Sequence, residues 1–522
     1  MKNSKGIVAA GHPITAEAGK MILEAGGNAY DAIAASFFAA CLAEPSLASL
    51  GGGGFLMAHT NKNENILYDF FVQTPRNKKI DKEMDFYPVE VDFGGAIQAF
   101  HVGMASSAVP GGAKGVFQMH SELGRLPIEK VIEPATKFAR EGIEMNWFSG
   151  LAFELLAEIY KSQKKTLKLF ESHEEKGELL REGEILKNPE LADFLELLAK
   201  KGVDEMYKGD VAKKIVRDME KMGGLLTIED LENYEVKKRK AISINYRDAE
   251  FISNPPPSAG GVLIAFALKL LEKIDLSKIK FGSPEHIEAL IAVMEKAGIA
   301  RKEKLEKNIR EEGIVDEILS EEYIKEFIED IRNRVNKWGS TTQMSVIDSE
   351  GNIASMTATN GEGSGYLMPG TGSVLNNMLG EEDLNPGGFF KWKENQRISS
   401  MMAPSIAIKN GIKIALGSAG SNRLRSAILQ TTINILDFEK NIEKAVNGPR
   451  VHFENGKLDI EEGFSKETIQ KIRKKYPKAN IWNGKNLFFG GANCVMMDEN
   501  KKIFSGAGDV RRGGAWIKAD KV

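Results

Sequence analysis

The chain of 522 residues has two cysteines and seven histidines, so it is poor in the side chains that build disulfide frameworks and metal centres. Two cysteines, Cys41 and Cys494, exclude a disulfide-stabilised scaffold and favour a reducing compartment, with a single bridge as the alternative. The histidines form neither an H-E-x-x-H pattern nor a cluster with the cysteines. The sequence therefore predicts no metal site and no cofactor.

The chain also lacks a charge excess and a long apolar run. It carries 70 basic and 73 acidic residues, mixed along the sequence, which gives no reason to expect nucleic acid or a membrane as a partner. The longest uncharged apolar stretch, residues 32–43, is too short to span a bilayer and predicts a buried helix. Residues 1–7 lack the apolar core of an export signal, so we expect a cytoplasmic protein.

A strand-like run begins at residue 341, directly after a charged helical region. Asp348 and Gly351 mark a turn, and a three-residue loop, 349–351, places Thr341 opposite Thr359 on the returning strand. Opposed residues bring their Cβ atoms to about 4.5–5.5 Å, so two hydroxyls are expected to meet at the open end of a hairpin. A threonine pair that only stabilises the sheet fits the same spacing.

A second candidate site is a glycine-rich turn. Residues 412–416 predict a strand, residues 417–422 (Gly-Ser-Ala-Gly-Ser-Asn) a turn, and residues 425–436 a helix. Such a turn leaves backbone N–H groups free to bind an anion or a developing oxyanion. The turn matches neither a phosphate loop nor G-x-S-x-G, and an ordinary tight connection fits the local pattern equally well. Ser399 and Ser400 predict either a turn or a ligand contact.

Taken together and in order, these motifs and several others resemble the gamma-glutamyltranspeptidases, also called glutathione hydrolases. The resemblance covers nearly the whole chain, and its specificity lies in the number of short motifs that follow one another. The segments that carry it are 11–19, 26–35, 51–55, 255–261, 340–348, 369–372, 375–377, 399–401 and 417–423.

The resemblance implies an α+β fold, the four-layer αββα sandwich of the N-terminal-nucleophile hydrolases. It also implies that one precursor is cut between Ser340 and Thr341, giving a large subunit, 1–340, and a small subunit, 341–522, that stay together in one intertwined fold. Thr341 would then supply both the attacking hydroxyl and the base, its own freed α-amine. The reference pKa of an α-amine is about 8, so a useful fraction is neutral near neutral pH.

The resemblance also assigns roles to single positions. Thr359 matches the threonine that hydrogen-bonds the nucleophile. Gly420 and Ser421 match the paired glycines whose N–H groups form the oxyanion hole, and a backbone donor tolerates the serine. Ser399 and Ser400 match the serines that hold the α-carboxylate side of the substrate.

Several positions of the glutamyl pocket depart from the family pattern. Glu381 stands where the family has the aspartate that holds the substrate amine, and Asn360 lies one residue before a common asparagine position. Met378 replaces a glutamine or glutamate. The carboxylate-anchoring arginine has no match in register, although Arg76 lies nearby in the sequence. The segment after Glu381 is short, which implies that a lid is missing and that the pocket is more open.

Three functions fit these observations. The first is a self-processing amidohydrolase or acyltransferase that cleaves gamma-glutamyl amides such as glutathione through an acyl-enzyme on Thr341. The second is an acylase for another amide, such as a glutaryl-like or oxamate-like compound. The third is an uncleaved binding protein on the same scaffold, against which the intact Thr341, Thr359 and glycine turn argue. The expected partners are a small amide substrate and the chain's own two fragments.

Overall fold

The computed structural model describes residues 4–78, 83–92, 97–327 and 341–520. Their strands are β1 (Ser4–Ala10), β2 (Gly53–His59), β3 (Asn65–Asp69), β4 (Tyr87–Asp92), β5 (Ile97–Val102), β6 (Ile143–Glu144), β7 (Ile185–Leu186), β8 (Lys237–Arg239), β9 (Ile242–Tyr246), β10 (Ala249–Ser253), β11 (Thr342–Asp348), β12 (Ile353–Thr359), β13 (Ser405–Lys409), β14 (Ile412–Ala419), β15 (Val451–Glu454), β16 (Lys457–Glu461), β17 (Asn480–Trp482), β18 (Gly491–Asp498), β19 (Ile503–Ala507) and β20 (Ala515–Asp520).

The α-helices of the described residues are α1 (Pro13–Glu24), α2 (Ala29–Ala43), α3 (Gly112–Leu123), α4 (Ile128–Glu141), α5 (Trp147–Leu155), α6 (Ala157–Tyr160), α7 (Lys164–Phe170), α8 (Pro189–Lys201), α9 (Asp204–Tyr207), α10 (Asp210–Lys221), α11 (Ile228–Glu232), α12 (Gly260–Leu271), α13 (Pro284–Ala300), α14 (Glu306–Asn308), α15 (Ile314–Ile318), α16 (Glu321–Glu326), α17 (Arg423–Leu436), α18 (Ile442–Asn447) and α19 (Lys466–Lys475).

Two sheets stack face to face in the centre of the molecule. One has seven strands in the order β20-β1-β11-β12-β2-β3-β8, and the other has six in the order β19-β18-β14-β13-β10-β9. Helices α1, α2 and α3 pack on the outer face of the first sheet, and α12, α17 and α18 on the outer face of the second. Strands β11 and β12 contact β14 across the gap between the sheets. The predicted αββα sandwich is confirmed.

Side-chain alternation along the strands explains the layers. In β1, Val8 and Ala10 point into the core under the helices, whereas Ile7 and Ala9 point into the core between the two sheets. Both faces of these strands are buried, because each sheet is covered on one side by helices and on the other by its partner sheet. Strands buried on both faces carry side chains that are apolar or hydrogen-bonded within the core.

Both sheets mix strands from the two sides of residue 340. The seven-stranded sheet combines β1, β2, β3 and β8 with β11, β12 and β20, and the six-stranded sheet combines β9 and β10 with strands that follow residue 341. Neither part of the chain has a sheet of its own among these two. The fold therefore joins them into one body.

Helix α2 is the buried helix that the sequence predicts. All fifteen of its residues are buried, and Asn28 caps its first turn by accepting hydrogen bonds from the N–H groups of Tyr30 and Asp31. Cys41 in this helix and Cys494 in β18 are both buried and free. Within the described part of the chain, helices long and apolar enough to cross a bilayer are absent.

Candidate active site

The hairpin of β11 and β12 has the predicted register. Thr342 pairs with Ala358 and Ile347 with Ile353, so the next residue outward, Thr341, lies opposite Thr359. Strand alternation puts these two threonines on the face that looks into the gap between the sheets, and both side chains line one cavity there. Thr341 is 6% exposed and Thr359 7% exposed. Ser340, on the other side of the predicted cleavage site, lies outside the described residues.

A polar network fixes the hairpin directly behind the two threonines. The side-chain amide of Gln343 donates hydrogen bonds to the hydroxyls of Ser345, at 3.1 Å, and Ser355, at 3.0 Å. The hydroxyl of Thr357 donates to the Gln343 amide oxygen at 2.6 Å. These buried groups satisfy one another across both strands, and such a network holds a single arrangement. The ends of the strands, with Thr341 and Thr359, are therefore held rigidly.

On the opposite face of β11, the carboxyl of Glu44 lies under the next residue of the chain. Its two oxygens accept hydrogen bonds from the hydroxyls of Thr342, at 2.7 Å, and Thr15, at 3.0 Å. Burial raises the pKa of Glu44 to about 7, against the lowering effect of these two hydrogen bonds. Sequence reasoning missed this carboxyl. The available signal is a lone glutamate at the end of an otherwise apolar helical run.

The glycine turn is shorter than the sequence predicts. Strand β14 continues to Ala419 rather than ending at Leu416, because its last three residues pair with residues 491–493 of β18. The turn is therefore Gly420, Ser421 and Asn422, and α17 begins at once at Arg423. The Gly420 φ angle of +112° suits glycine, and Ser421 has a φ of +47°.

This turn presents two backbone donors at the start of a helix. Among the described residues, no acceptor takes a hydrogen bond from the N–H of Gly420 or of Ser421. The partial positive charge of a helix N-terminus adds to their attraction for an anion. The turn can therefore stabilise an oxyanion.

A carboxylate holds the side chain of the turn. The hydroxyl of Ser421 donates to Asp383 at 2.9 Å. Burial, together with the charges of Glu362 and Asp383, raises the pKa of Glu381 well above its ordinary value. Asp383 was not predicted from the sequence, although it follows the predicted Glu381 by two residues.

One cavity of about 100 Å³ joins these features. Its polar wall contains the two threonines and the turn. It also contains two acidic residues, Glu381 and Asp383, and two serines, Ser399 and Ser400. Much of the remaining wall is apolar, and Arg301 is the one basic residue among those described that line it. The lining residues are Phe71, Ala259, Arg301, Glu306, Ile309, Thr341, Thr359, Glu381, Asp383, Leu384, Pro386, Ser399, Ser400, Met401, Met402, Ser421, Asn422 and Leu424.

The rigid bend at residues 255–261 positions the serine pair. The N–H of Ala259 donates to the Ser400 carbonyl oxygen at 2.8 Å, and the hydroxyl of Ser258 donates to the same oxygen at 3.0 Å. The Ser400 hydroxyl in turn accepts the N–H of Met402 at 3.0 Å. These contacts fix the segment on which Ser399 and Ser400 face the cavity.

Two predicted substrate contacts do not reach the cavity. Arg76 lies elsewhere, with its N–H donating to Asp230 at 2.7 Å, and Asn360 is fully buried, with its N–H donating to the Leu47 carbonyl oxygen at 3.1 Å. Neither residue lines the cavity, so the geometry gives no support to the predicted role of either in substrate binding. The residue that enters the cavity from this part of the chain is Phe71, because the strand before it ends and the chain turns inward.

Comparison with known proteins agrees with this geometry. The family model described as gamma-glutamyltranspeptidase matches residues 15–519. The glutathione hydrolase proenzyme of Escherichia coli is 29% identical over 98% of this chain and 91% of its own length. The acylase ACY 1 proenzyme of a Pseudomonas species is 30% identical over 90% of this chain and 86% of its own length.

The fold has a solved counterpart. The crystal structure of cephalosporin acylase from Bacillus halodurans superposes with a TM-score of 0.85 and 23% identity, covering 99% of this chain and 96% of that one. At this level of identity the likeness concerns the fold alone. The family match spans nearly the whole sequence and includes both strands of the hairpin and the glycine turn. The chain therefore belongs to the gamma-glutamyltranspeptidase family of N-terminal-nucleophile hydrolases.

Proposed function

We propose that this enzyme cuts its own backbone before Thr341 and then uses that residue to cleave small amides. The observation that supports this most directly is the shared cavity, in which Thr341 and Thr359 lie with the Gly420–Asn422 turn at its edge. The cut begins when the Thr341 hydroxyl attacks the carbonyl carbon of residue 340. The peptide nitrogen leaves as the new α-amine, an ester forms, and water hydrolyses the ester to a free carboxylate.

The same groups then act on a substrate. The neutral α-amine of Thr341 takes the proton from its own hydroxyl, and the hydroxyl oxygen attacks the amide carbonyl. The N–H groups of Gly420 and Ser421 stabilise the oxyanion, and the leaving amine takes the proton from the ammonium. Water or a second amine then attacks the acyl-enzyme, which gives hydrolysis or transfer.

The acidic wall of the cavity supports a gamma-glutamyl substrate. Glu381 and Asp383 line the cavity, and an α-ammonium group of an acyl moiety that binds there favours the ionised form of Glu381, which attracts it in turn. Ser399 and Ser400 lie on the same wall and can bind the α-carboxylate. Glutathione-like amides therefore fit the polar wall, as in the relatives that are named glutathione hydrolases.

The apolar wall supports the second candidate, an acylase for a different amide. Phe71, Met401 and Met402 favour an acyl chain with little polarity, such as a glutaryl-like group. One relative at 30% identity is named an acylase. Glu381 separates the two candidates, because its carboxylate serves an acyl group with an α-amine and has no partner in an acyl group without one.

The test is an intact-mass spectrum of wild-type protein beside Thr341→Ala, with Thr341→Ser as the matched control. We expect wild type and Thr341→Ser to give two fragments, one starting at position 341, and Thr341→Ala to stay whole. One uncut species of 57.4 kDa in wild type as well would refute self-processing and favour a binding protein. Gamma-glutamyl and glutaryl anilides, assayed side by side on the processed enzyme, then identify the acyl group by the larger kcat/KM.

A further inference from the structure

A second and larger cavity adjoins the active-site cavity. It has a volume of about 460 Å³ and lies between residues 306–311 and the segment 384–399. The two cavities share the wall residues Glu306, Ile309, Leu384, Pro386 and Ser399. We call the larger one the side groove; its other lining residues are Thr74, Lys307, Asn308, Arg310, Glu311, Asn385, Gly387, Gly388, Lys391, Trp392, Lys393, Gln396, Arg397 and Ile398.

The side groove opens from the acyl end of the active-site cavity. Ser399 belongs to both cavities, whereas Thr341, Thr359 and Ser421 line only the smaller one. A substrate whose scissile carbonyl lies at Thr341 reaches the groove through the part that extends past the shared wall, which includes Ser399. That part belongs to the acyl group, because the serine pair holds the acyl end in the proposed function.

The groove has an excess of positive charge. Four exposed cations line it, and none forms an ion pair with a described residue; they are Lys307, Arg310, Lys391 and Lys393. Of the other charged residues, Glu306 is paired with Arg301 at 2.6 Å, and Arg397 with Asp69 at 3.3 Å. Glu311 is the remaining carboxylate in the lining. The uncompensated cations attract an anion.

Trp392 gives a second, independent indication of a ligand. Its indole N–H is buried, and no acceptor among the described residues takes a hydrogen bond from it. A buried donor without an acceptor costs free energy, and Trp392 lines the groove, so a ligand acceptor toward which the ring turns would remove this cost. The ring also lies 4.7 Å below the ammonium of Lys78, which adds a further cation beside the groove.

We propose that the side groove binds a carboxylate carried by the distal part of the acyl group, beyond Ser399. The preferred substrate is then an acyl group that is longer than glutamyl and bears an additional carboxylate. Lys307, Lys391 and Lys393 attract that carboxylate, and Trp392 donates a hydrogen bond to it. This proposal rests on the proposed function, because the proposed function defines which end of the cavity holds the acyl group.

Three anilides test the proposal. The first is gamma-glutamyl 4-nitroanilide. The second is the same anilide with a glutamate joined by an amide bond to the α-carboxyl group of its glutamyl moiety. The third has a glutamine at the same place. The second and third differ by a single carboxylate. We expect wild-type enzyme to have the lowest KM for the glutamate-extended anilide. Replacing Lys307, Lys391 and Lys393 by Gln should raise that KM roughly tenfold and leave the KM for the unextended anilide unchanged.

One further variant is a control, and another tests the role of Trp392. Lys137→Gln, Lys200→Gln and Lys214→Gln, combined, remove the same charge from exposed positions on α4, α8 and α10 and should leave every KM unchanged. Trp392→Phe keeps the aromatic ring and removes the indole donor, so it should raise the KM for the glutamate-extended anilide by a smaller factor, about two- to fivefold. Added salt should weaken the charge effect in wild type.

Direct binding separates this proposal from the proposed function. Calorimetry with the glutamate-extended acid, the hydrolysis product without its anilide, measures the groove even if no anilide is cleaved. Weaker binding of this acid by the triple groove variant than by the control variant supports the proposal, whether or not the enzyme cleaves any of the anilides. Equal binding by both variants overturns the proposal.

Discussion

Thr359 lies opposite Thr341, the proposed nucleophile, and lines the same cavity. Its hydroxyl also accepts the N–H of Gly361 at 3.0 Å, which fixes its orientation. Thr359→Val keeps the shape and removes the hydroxyl, so we expect kcat to fall by about 10- to 100-fold, the effect of losing one hydrogen bond to a reacting group. Steady-state kinetics on a gamma-glutamyl anilide measures this.

Thr357→Val is the matched control for that substitution. It removes a buried hydroxyl from the same strand and the same face, two residues away, where the partner is Gln343. We expect a loss of about 1–3 kcal/mol of stability and a smaller loss of kcat than in Thr359→Val, because the other hydrogen bonds of Gln343 still hold the hairpin. An equal loss of kcat in both variants would show that the hydroxyl of Thr359 has no special role.

Glu44 gives a prediction about pH. Its pKa is raised from 4.5 to about 7 in the folded protein, so between these values the folded state binds more protons than the unfolded state. The contribution of this carboxyl to stability is therefore fully present below its unfolded pKa and is lost as the pH rises through about 7. Glu44→Gln removes the titrating group but keeps a side chain of the same shape.

We expect the stability of Glu44→Gln relative to wild type to rise with pH, by about 3 kcal/mol between pH 4.5 and pH 7. Urea unfolding of both proteins across this range measures the difference. A difference that does not change with pH would mean that the pKa of Glu44 is the same in the folded and the unfolded protein.

At the scale of elements, the turn between β14 and α17 combines a strained serine with a side-chain anchor. Ser421 has a φ of +47°, and Asp383 accepts its hydroxyl at 2.9 Å. Ser421→Gly relieves the strain and loses the hydrogen bond, each about 1 kcal/mol, so we expect stability to change little. Ser421→Ala loses the hydrogen bond only and should be destabilised by about 1 kcal/mol.

Both substitutions keep the backbone N–H, so kcat should stay within a few-fold of wild type. Thermal unfolding and anilide kinetics test the pair together. A large fall of kcat in Ser421→Ala, measured at a temperature where the variant is folded, would show that the hydroxyl takes part in the reaction and that the N–H alone is not enough.

The hairpin and the turn show what local sequence can and cannot predict. The register of Thr341 against Thr359 was predictable, because Gly351 and Asp348 define the loop and each strand has a period of two. The end of β14 was not, because Gly417 resembles a turn residue and enters the strand only by pairing with Asn493, far along the chain. Glu44 was missed for the same reason, since it is 298 residues from its partner Thr342.

The glutamyl pocket was predictable only in part. Glu381, Ser399 and Ser400 line the cavity as expected from the order of motifs. Arg76 was chosen by its charge and its nearness in sequence, but the direction of a loop after a strand depends on tertiary packing. The structure brings Phe71 to this wall instead, and an apolar side chain gave no signal of a binding role.

At the scale of the whole molecule, each of the two central sheets contains strands from both sides of the expected cut. In the first sheet, β11 lies between β1 and β12, and β20 pairs with the other edge of β1. Separating the two fragments would break these strand pairs and expose three apolar cores. We therefore expect the fragments to remain together after cleavage.

Size-exclusion chromatography followed by denaturing electrophoresis tests this expectation. Both fragments should elute in one peak at the size of the whole chain and separate only in denaturant. Separation in native buffer would contradict the intertwined arrangement. The uncut Thr341→Ala protein provides the reference elution volume.

The position of Thr341 has a consequence for the order of events in the life of the protein. Chain ends usually lie at the surface. The new N-terminus at Thr341 would instead be only 6% exposed, and it would directly precede β11, which has a neighbouring strand on each side. The attacking hydroxyl and the turn that stabilises the oxyanion come from strands of different sheets, so they meet only after both sheets have stacked. The proposed cleavage would therefore follow folding, and the cut chains in a cell extract would be molecules that have folded.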